Sequence, residues 1–318
     1  MLRRLLPGDF LGDPFEAAKN TVLGAVLETN IGGVRTAGLI TEAEVYIGGR
    51  DKASHTYGYR RTERVMSQYE MGGQAYVFLV YGIHAQFCVV LGERDVPNVV
   101  LVRSIMPLWG TDEMLRRRGK IKPDEGISLP GKKAKPDDGM SSRRIKAKLD
   151  ATLCAGPGNA TKALGITTRL NGVDLCTSDE IGLYVPAESE TGANGAGLRQ
   201  VAEFRTNASD KVELHRFAKS ETGGNEVGLH QFEKSEMGGN EAGLYQVAES
   251  ETDAERAASG RAVMPCSEEV LRAIMSARAD EIVEAPRIGI DYAEEYAAMK
   301  WRYYYRNNRF VSKKLKGV

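Results

Sequence analysis

A long β-strand is predicted by the stretch Val34 to Ile47, whose centre is Gly38-Leu39-Ile40-Thr41-Glu42-Ala43-Glu44-Val45-Tyr46. Side chains of a strand alternate between its two faces, so Glu42, Glu44 and Tyr46 share one face. A second predicted strand contains Tyr76-Val77-Phe78-Leu79-Val80-Tyr81-Gly82. Together the two strands favour a site in which a carboxylate lies beside a set of aromatic rings.

Further elements follow the same patterns. Phe87–Leu91 and Val99–Ile105 are short runs rich in β-branched and aromatic residues, joined by a turn with Gly and Pro. A helix is predicted from Asp13 to Leu27, with Asp13 as its N-cap and a proline in its first turn. Another is predicted over Asp112–Arg118. We therefore expect an α+β fold, a single mixed domain built on a curved antiparallel β-sheet with surrounding helices.

Residues 186–260 differ from the rest of the chain. The whole chain has no formal net charge, but this segment holds seven Lys and Arg against fourteen Asp and Glu, which leaves 36 basic and 29 acidic residues elsewhere. It contains tandem units with a period of 15 residues, 219–233 and 234–246. Each unit has only two or three apolar residues beside a Gly-Gly pair, too few to bury a core.

We therefore predict one discontinuous domain, 1–185 with 261–318, interrupted by a low-complexity insertion, 186–260, that is acidic, Gly-rich and flexible. A small β-solenoid is the alternative interpretation of the regular period. The segment 119–148 is rich in Lys, Arg, Gly and Pro. It suits a surface loop close to phosphates.

Composition excludes several classes of protein. The four cysteines are widely spaced and form no CxxC pair, which argues against a zinc site and a disulfide framework, and no metal site is predicted. The apolar runs are strand-sized, and the apolar part of the N-terminal segment is too short for a signal peptide. We expect an intracellular protein without a membrane segment.

Several motifs occur in a specific order along the chain. They are Gly38–Tyr46, Asp51-Lys52-Ala53-Ser54-His55, Arg61-Thr62-Glu63-Arg64, Gly73–His84, Val100-Leu101-Val102-Arg103-Ser104, Leu153-Cys154-Ala155-Gly156-Pro157-Gly158, Pro286-Arg287-Ile288-Gly289-Ile290 and Trp301-Arg302-Tyr303-Tyr304. This ordered series resembles the alkyladenine (3-methyladenine) DNA glycosylase family of base-excision repair. The resemblance covers most of the chain outside the insertion.

The resemblance implies two catalytic residues. Glu44 matches the general base that activates water for attack on the sugar, and Arg103 matches an arginine near the phosphate and that water. Without the resemblance, a glutamate on a strand is more often a solvated surface residue than a catalytic one. Arg103 could equally be an arginine at a strand end that pairs with a carboxylate. Glu42 shares the face of Glu44, and we expect it to form a structural ion pair.

The resemblance also implies a pocket for an extruded base. Tyr46 would stack on the flipped purine, His55 would contact the base or its sugar-phosphate, and Phe78 would form the opposite wall. Tyr81 matches an intercalating tyrosine that fills the gap in the duplex. Cys88 occupies a pocket position where the family typically has asparagine, and this exchange changes how the pocket reads a base. Without the resemblance, aromatic residues at these spacings are more often part of a core.

The function implied is a monofunctional DNA glycosylase that hydrolyses the N-glycosidic bond of alkylated or deaminated purines. The expected substrates are 3-methyladenine and 7-methylguanine, with hypoxanthine as a further candidate, in double-stranded DNA, without a cofactor. A non-catalytic nucleic-acid-binding protein on the same fold is the alternative. A third interpretation is that 186–260 recruits a protein partner. We expect a monomer that acts on DNA in the cytoplasm, nucleoid or nucleus.

Overall fold

The computed structural model describes residues 1–121, 151–187 and 264–315, together with the backbone of two strands, 201–206 and 212–217. The chain divides into two compact units. The first comprises Met1–Ala187 with Arg261–Val318, and the second comprises Glu188–Gly260.

The strands are, in chain order, β1 (Leu2–Arg4), β2 (Val26–Ile31), β3 (Val34–Tyr46), β4 (Ala75–Val80), β5 (His84–Leu91), β6 (Asn98–Trp109), β7 (Ile181–Pro186), β8 (Val201–Thr206), β9 (Val212–Phe217), β10 (Ile282–Ala285) and β11 (Arg302–Tyr305). Nine of these described strands form one sheet in the first unit, in the order β1-β7-β2-β3-β6-β5-β4, with β11 beside β3 and β10 beside β11. Its ladders are antiparallel, which confirms the predicted α+β class with an antiparallel sheet.

The central strand is β3, because neighbours cover it on both sides. β6 pairs with it from Ala37 to Tyr46 on one side. On the other side, β2 pairs with its first half and β11 pairs with the segment Glu42–Glu44. Glu42 and Glu44 are therefore in the middle of the sheet, and both are fully buried.

The helices are α1 (Pro14–Glu16), which continues as a π-helical turn (Ala17–Val22), α2 (Thr111–Arg117), α3 (Pro157–Leu164) and α4 (Glu268–Arg278). The 3₁₀ segments are Pro7–Phe10, Glu63–Tyr69, Ala151–Leu153, Thr168–Leu170 and Asp291–Ala298. The largest apolar core combines sheet and helix residues, including Phe10, Leu23, Ile40, Phe87, Val102, Leu153 and Leu164. Burial of these side chains is the main favourable contribution to the stability of the unit.

The predicted helix over residues 13–27 is wrong in its second half. Asp13 does cap the helix, since its side chain accepts the N–H groups of Phe15 and Glu16. The helix ends at Val22, and Val26 begins β2 instead. β2 and β3 form a hairpin whose turn, Gly32-Gly33, has positive φ at both glycines, as the tight hairpin turns require. The Gly-Gly pair was the signal for β2 in the sequence.

In the second unit, β8 and β9 pair as an antiparallel hairpin. The tandem repeats of 219–246 lie outside the described residues, and so does most of the basic segment 119–148. The predicted flexibility of 186–260 and its alternative, a β-solenoid, therefore stay predictions. None of the helices in the described part of the chain has the length and apolar character needed to cross a membrane.

Candidate active site

A β-bulge in β6 brings Arg103 to the acidic face of β3. Ser104 is opposite Glu42 and Val102 is opposite Ala43, so Arg103 is the extra residue between two paired positions. Bulges of this kind redirect a side chain and are common beside active sites. Arg103 is buried and reaches both carboxylates of β3, at 3.1 Å from Glu44 and 3.4 Å from Glu42.

Glu44 is fully buried and accepts three hydrogen bonds. Its Oε2 accepts from Arg103 Nη1 at 3.1 Å and from the Tyr46 hydroxyl at 2.8 Å. Its Oε1 accepts from the backbone N–H of Ile288 at 2.8 Å, in the loop that follows β10. Burial, and then the adjacent Glu44 carboxylate, raise the pKa of Tyr46 well above its ordinary value, so this hydroxyl stays protonated and donates.

Glu42 has a different set of partners. Its Oε1 accepts from Arg302 Nη1 at 2.8 Å, and its Oε2 accepts from Ser104 Oγ at 2.9 Å and from the backbone N–H of Ser312 at 2.7 Å. Glu42 does not line the cavity that Tyr46 and Arg103 border. It connects β11 and the C-terminal segment to the sheet. This matches the structural ion pair expected for it.

A cavity of about 420 Å³ opens beside these carboxylates. Its volume is in the usual range of ligand pockets, roughly 300–1,000 Å³. The predicted site residues that line it are Tyr46, His55, Phe78, Tyr81, Cys88 and Arg103. Glu44 is the one predicted site residue that does not line the cavity, and it lies directly behind Arg103 and Tyr46.

One wall of the cavity is a set of three rings. Tyr76 and Phe78 are stacked at 5.1 Å, and His55 meets Phe78 edge-on at 4.6 Å. The Nδ1 atom of His55 is 2.8 Å from the Tyr76 hydroxyl. Burial, and then the neighbouring Arg64, lower the pKa of His55 from its usual 6.5, so the imidazole is neutral near pH 7. Tyr76 was within a quoted motif, but its part in this wall was not predicted.

Tyr46, which also lines the cavity, is supported by an arginine that sequence reasoning did not assign. Arg287 is 4.5 Å from the centre of the Tyr46 ring and 4.9 Å from that of Trp301. It forms a fully buried double ion pair with Asp51, with N···O distances of 2.5 and 2.9 Å. These contacts hold the loop that supplies Ile288, Gly289 and Ile290 to the cavity. Both partners were in quoted motifs, yet only the fold shows that they meet.

The floor of the cavity contains Cys88, a buried free thiol opposite Tyr76 in the β4–β5 ladder. Burial, and then the nearby Glu44 charge, raise the pKa of Cys88 well above that of an ordinary thiol. The side chain is therefore a neutral, weakly hydrogen-bonding group. It packs in an apolar cluster with Tyr76, Val99 and Leu101.

Tyr81 projects from the tip of the β4–β5 hairpin, at the mouth of the cavity. It is 91% exposed, and its backbone is left-handed with φ of 52°. A non-glycine residue in this region costs about 1–2 kcal/mol, and such strain is concentrated at functional positions. An aromatic ring held in this way is free to contact a macromolecule.

The turn before α3 is a helix start, where backbone N–H groups are often free to bind a phosphate. The Gly156 N–H donates to Ser104 Oγ at 3.1 Å, so this group binds the β6 strand instead. Within the residues that the structure describes, no group of three or more His, Cys, Asp or Glu side chains is placed to hold a metal ion.

The chain was compared with known protein families and curated proteins. The family model of methylpurine-DNA glycosylase matches residues 9–202. A protein of Clostridium perfringens strain SM101 is 30% identical over 302 residues, which covers 95% of either chain. A protein of Chlamydia abortus is 45% identical over 125 residues, which covers 39% of this chain and 66% of that protein. A protein of Chlamydia pneumoniae is 33% identical over 201 residues, which covers 62% of this chain and 88% of that protein. All three bear the provisional name 3-methyladenine DNA glycosylase.

Proposed function

Because the chain belongs to the methylpurine-DNA glycosylase family, a family of DNA-repair glycosylases, we propose that it releases 3-methyladenine and 7-methylguanine from double-stranded DNA, with hypoxanthine as a further substrate. The observation that carries this proposal is the junction of Glu44, Arg103 and Tyr46 behind the cavity. It joins a buried carboxylate to a space lined with aromatic rings.

The purine occupies the cavity between Tyr46 and the wall of Phe78 and His55. Stacking on aromatic rings contributes roughly 1–3 kcal/mol per base, whatever the base. Purines alkylated at N3 or N7 are cationic, and aromatic faces attract cations. The slot therefore favours alkylated purines over normal ones.

The attacking water lies beside Arg103, since Arg103 contacts both the cavity and Glu44. Glu44 accepts a proton from this water, and the oxygen bonds to the sugar C1′ while the bond from C1′ to the base nitrogen breaks. For an alkylated purine, the electron pair of that bond neutralises the cationic base, which leaves as a neutral purine. The other product is an abasic site, and no covalent enzyme intermediate is needed.

Tyr81 inserts into the duplex from the tip of the β4–β5 hairpin and occupies the space that the flipped nucleotide leaves. Its 91% exposure leaves the ring free to enter a base step. Flipping costs a few kcal/mol of unstacking and unpairing, and an inserted ring offsets part of that cost.

The test is single-turnover release of 3-methyladenine from methylated duplex DNA and of hypoxanthine from a synthetic duplex. We compare the wild-type chain with Glu44→Gln and use Glu42→Gln as the matched control. Both glutamates are fully buried, share a face of β3 and contact Arg103. We expect Glu44→Gln to slow release by about 10²–10⁴-fold, the usual contribution of a general base, with duplex binding changed by less than about tenfold. We expect folded Glu42→Gln to stay within about tenfold of wild type.

Each other outcome has a definite meaning. Release that persists in Glu44→Gln removes Glu44 from the mechanism. Equal losses in both variants mean that the buried charge network, rather than proton transfer, sets the rate. If the wild-type chain binds duplex DNA and releases neither base, the alternative of a non-catalytic nucleic-acid-binding protein replaces this proposal.

A further inference from the structure

Gln68 is a buried amide that none of the described protein groups satisfies. It lies in the 3₁₀ segment Glu63–Tyr69, is 1% exposed and lines the cavity beside Tyr76 and Cys88. Neither its Nε2 nor its Oε1 has a hydrogen-bond partner among the residues that the structure describes. A buried donor or acceptor without a partner is destabilising, so an amide at this position is unfavourable unless something else binds it.

The neighbours of Gln68 have little hydrogen-bonding capacity to offer. The nearby Tyr76 hydroxyl interacts with the Gln68 amide, but the hydrogen bond that it forms, at 2.8 Å, is with His55 Nδ1. Cys88 is a protonated thiol, which is a weak hydrogen-bonding group. The adjoining side chains of Val65, Tyr69 and Leu101 belong to an apolar cluster. The unsatisfied amide therefore points to a ligand in the cavity.

The chemistry of an amide indicates which ligand. A Gln side chain donates and accepts a hydrogen bond at once, and it pairs with the edge of adenine, where an amino group lies next to a ring nitrogen. A base held between Tyr46 and Phe78 presents an edge, not a face, to the floor of the cavity. That floor is where Gln68 and Cys88 lie.

We propose that Gln68 determines specificity by forming two hydrogen bonds to the amino-bearing edge of an adenine-type base. The inference rests on the proposed function and deepens it. It predicts discrimination between two alkylated adenines. 3-Methyladenine keeps its N6 amino donor beside a ring-nitrogen acceptor, whereas the bridge of 1,N⁶-ethenoadenine joins N1 to N6 and leaves no N–H.

The test replaces Gln68 with Met, which has a similar length and no polar N or O, and with Leu as a second apolar variant. Single-turnover release is measured for 3-methyladenine from methylated duplex DNA and for 1,N⁶-ethenoadenine from a synthetic duplex. We expect Gln68→Met to slow release of 3-methyladenine at least tenfold and release of ethenoadenine less than threefold. We also expect its melting temperature to equal or exceed that of wild type, since an unsatisfied amide is removed.

Unchanged release of 3-methyladenine would overturn the proposal. Equal slowing for both bases in both variants would overturn it too, since that pattern marks a structural role. If the wild-type chain releases no base, the proposed function fails by itself, and binding of free adenine and free purine then tests Gln68. A preference for adenine that disappears in Gln68→Met supports the inference without catalysis, and equal affinities in wild type overturn it.

Discussion

Replacing Arg287 with Met removes the cation that supports Tyr46 and the loop after β10, both of which line the cavity. Its guanidinium forms two hydrogen bonds with Asp51 and donates to the Val45 carbonyl at 2.9 Å. It also lies over the Tyr46 ring. Neither side chain of the ion pair is exposed to solvent, so the substitution leaves the Asp51 carboxylate buried without its counter-ion.

The magnitude follows from this burial. Removal of one partner from a buried ion pair costs about 3–5 kcal/mol, far more than the 0–1 kcal/mol typical of exposed pairs. The cation–π contact of Arg287 with the Tyr46 ring contributes about 0.5–2 kcal/mol. The ion pair and this contact share the Arg287 side chain, so their contributions do not simply add. We expect Arg287→Met to lose about 3–5 kcal/mol of unfolding free energy.

The assay is urea denaturation followed by circular dichroism, with linear extrapolation to water. A double-mutant cycle adds Asp51→Asn alone and the pair Arg287→Met with Asp51→Asn. Asn at 51 keeps an oxygen for the Ala53 N–H, which Asp51 accepts at 2.9 Å. We expect the double variant to be more stable than the sum of the single losses predicts, by about 1–3 kcal/mol. Additive losses, or a loss below about 1 kcal/mol for Arg287→Met, would refute the reasoning.

Three further predictions concern other parts of the site. Tyr81→Asn should leave the free energy of unfolding within about 0.5 kcal/mol of the wild-type value or raise it, because Asn tolerates the left-handed conformation. The same variant should release the base at least tenfold more slowly, and unchanged release would exclude Tyr81 as the residue that intercalates. The pKa of His55 is lower in the folded than in the unfolded chain, so the contribution of His55 to stability is complete above pH 6.5 and is lost as the pH falls towards its folded pKa. His55→Gln should reduce that acid-side loss in urea titrations at pH 5 to 7, and an identical pH profile would contradict the assigned shift. Iodoacetamide at pH 8 should label the part-exposed Cys266 first, because burial raises the pKa of Cys154 and of Cys176 to about 12 and that of Cys88 further. Earlier labelling of any of the three buried thiols would show that the core opens.

The local pattern of apolar and polar residues was sufficient to predict the strands around the site. The alternation of Gly38–Tyr46 and the apolar runs near residues 75–81, 87–91 and 99–105 predicted β3 to β6, whose bounds differ from the prediction by a few residues. The Asp13 N-cap was also predicted. Period-2 alternation and capping depend on neighbouring residues, so they are visible in sequence. The end of the first helix was missed, because Val26 and Leu27 suit either a buried helix face or a strand that pairs with β3.

The placement of side chains around Glu44 depended on distant parts of the chain. Ile288 is more than two hundred residues from Glu44 along the chain, yet its N–H binds that carboxylate. The ion pairs of Arg287 with Asp51 and of Arg302 with Glu42 have the same character. A single sequence without contacts does not show which of many charged residues will meet.

The sequence by itself determined the strand pattern, the shared face of Glu42, Glu44 and Tyr46, and the ordered motifs that identify the family. Only the tertiary structure decided which carboxylate lies directly behind the lining of the cavity, since Glu44 accepts a hydrogen bond from Tyr46, which lines it, whereas Glu42 accepts one from Arg302 of β11. It also left Gln68, in the lining of the cavity, without a hydrogen-bond partner among the described residues. The physical reason is that alternation and turn preference are local properties, whereas burial and hydrogen-bond satisfaction are set by which distant segments pack together.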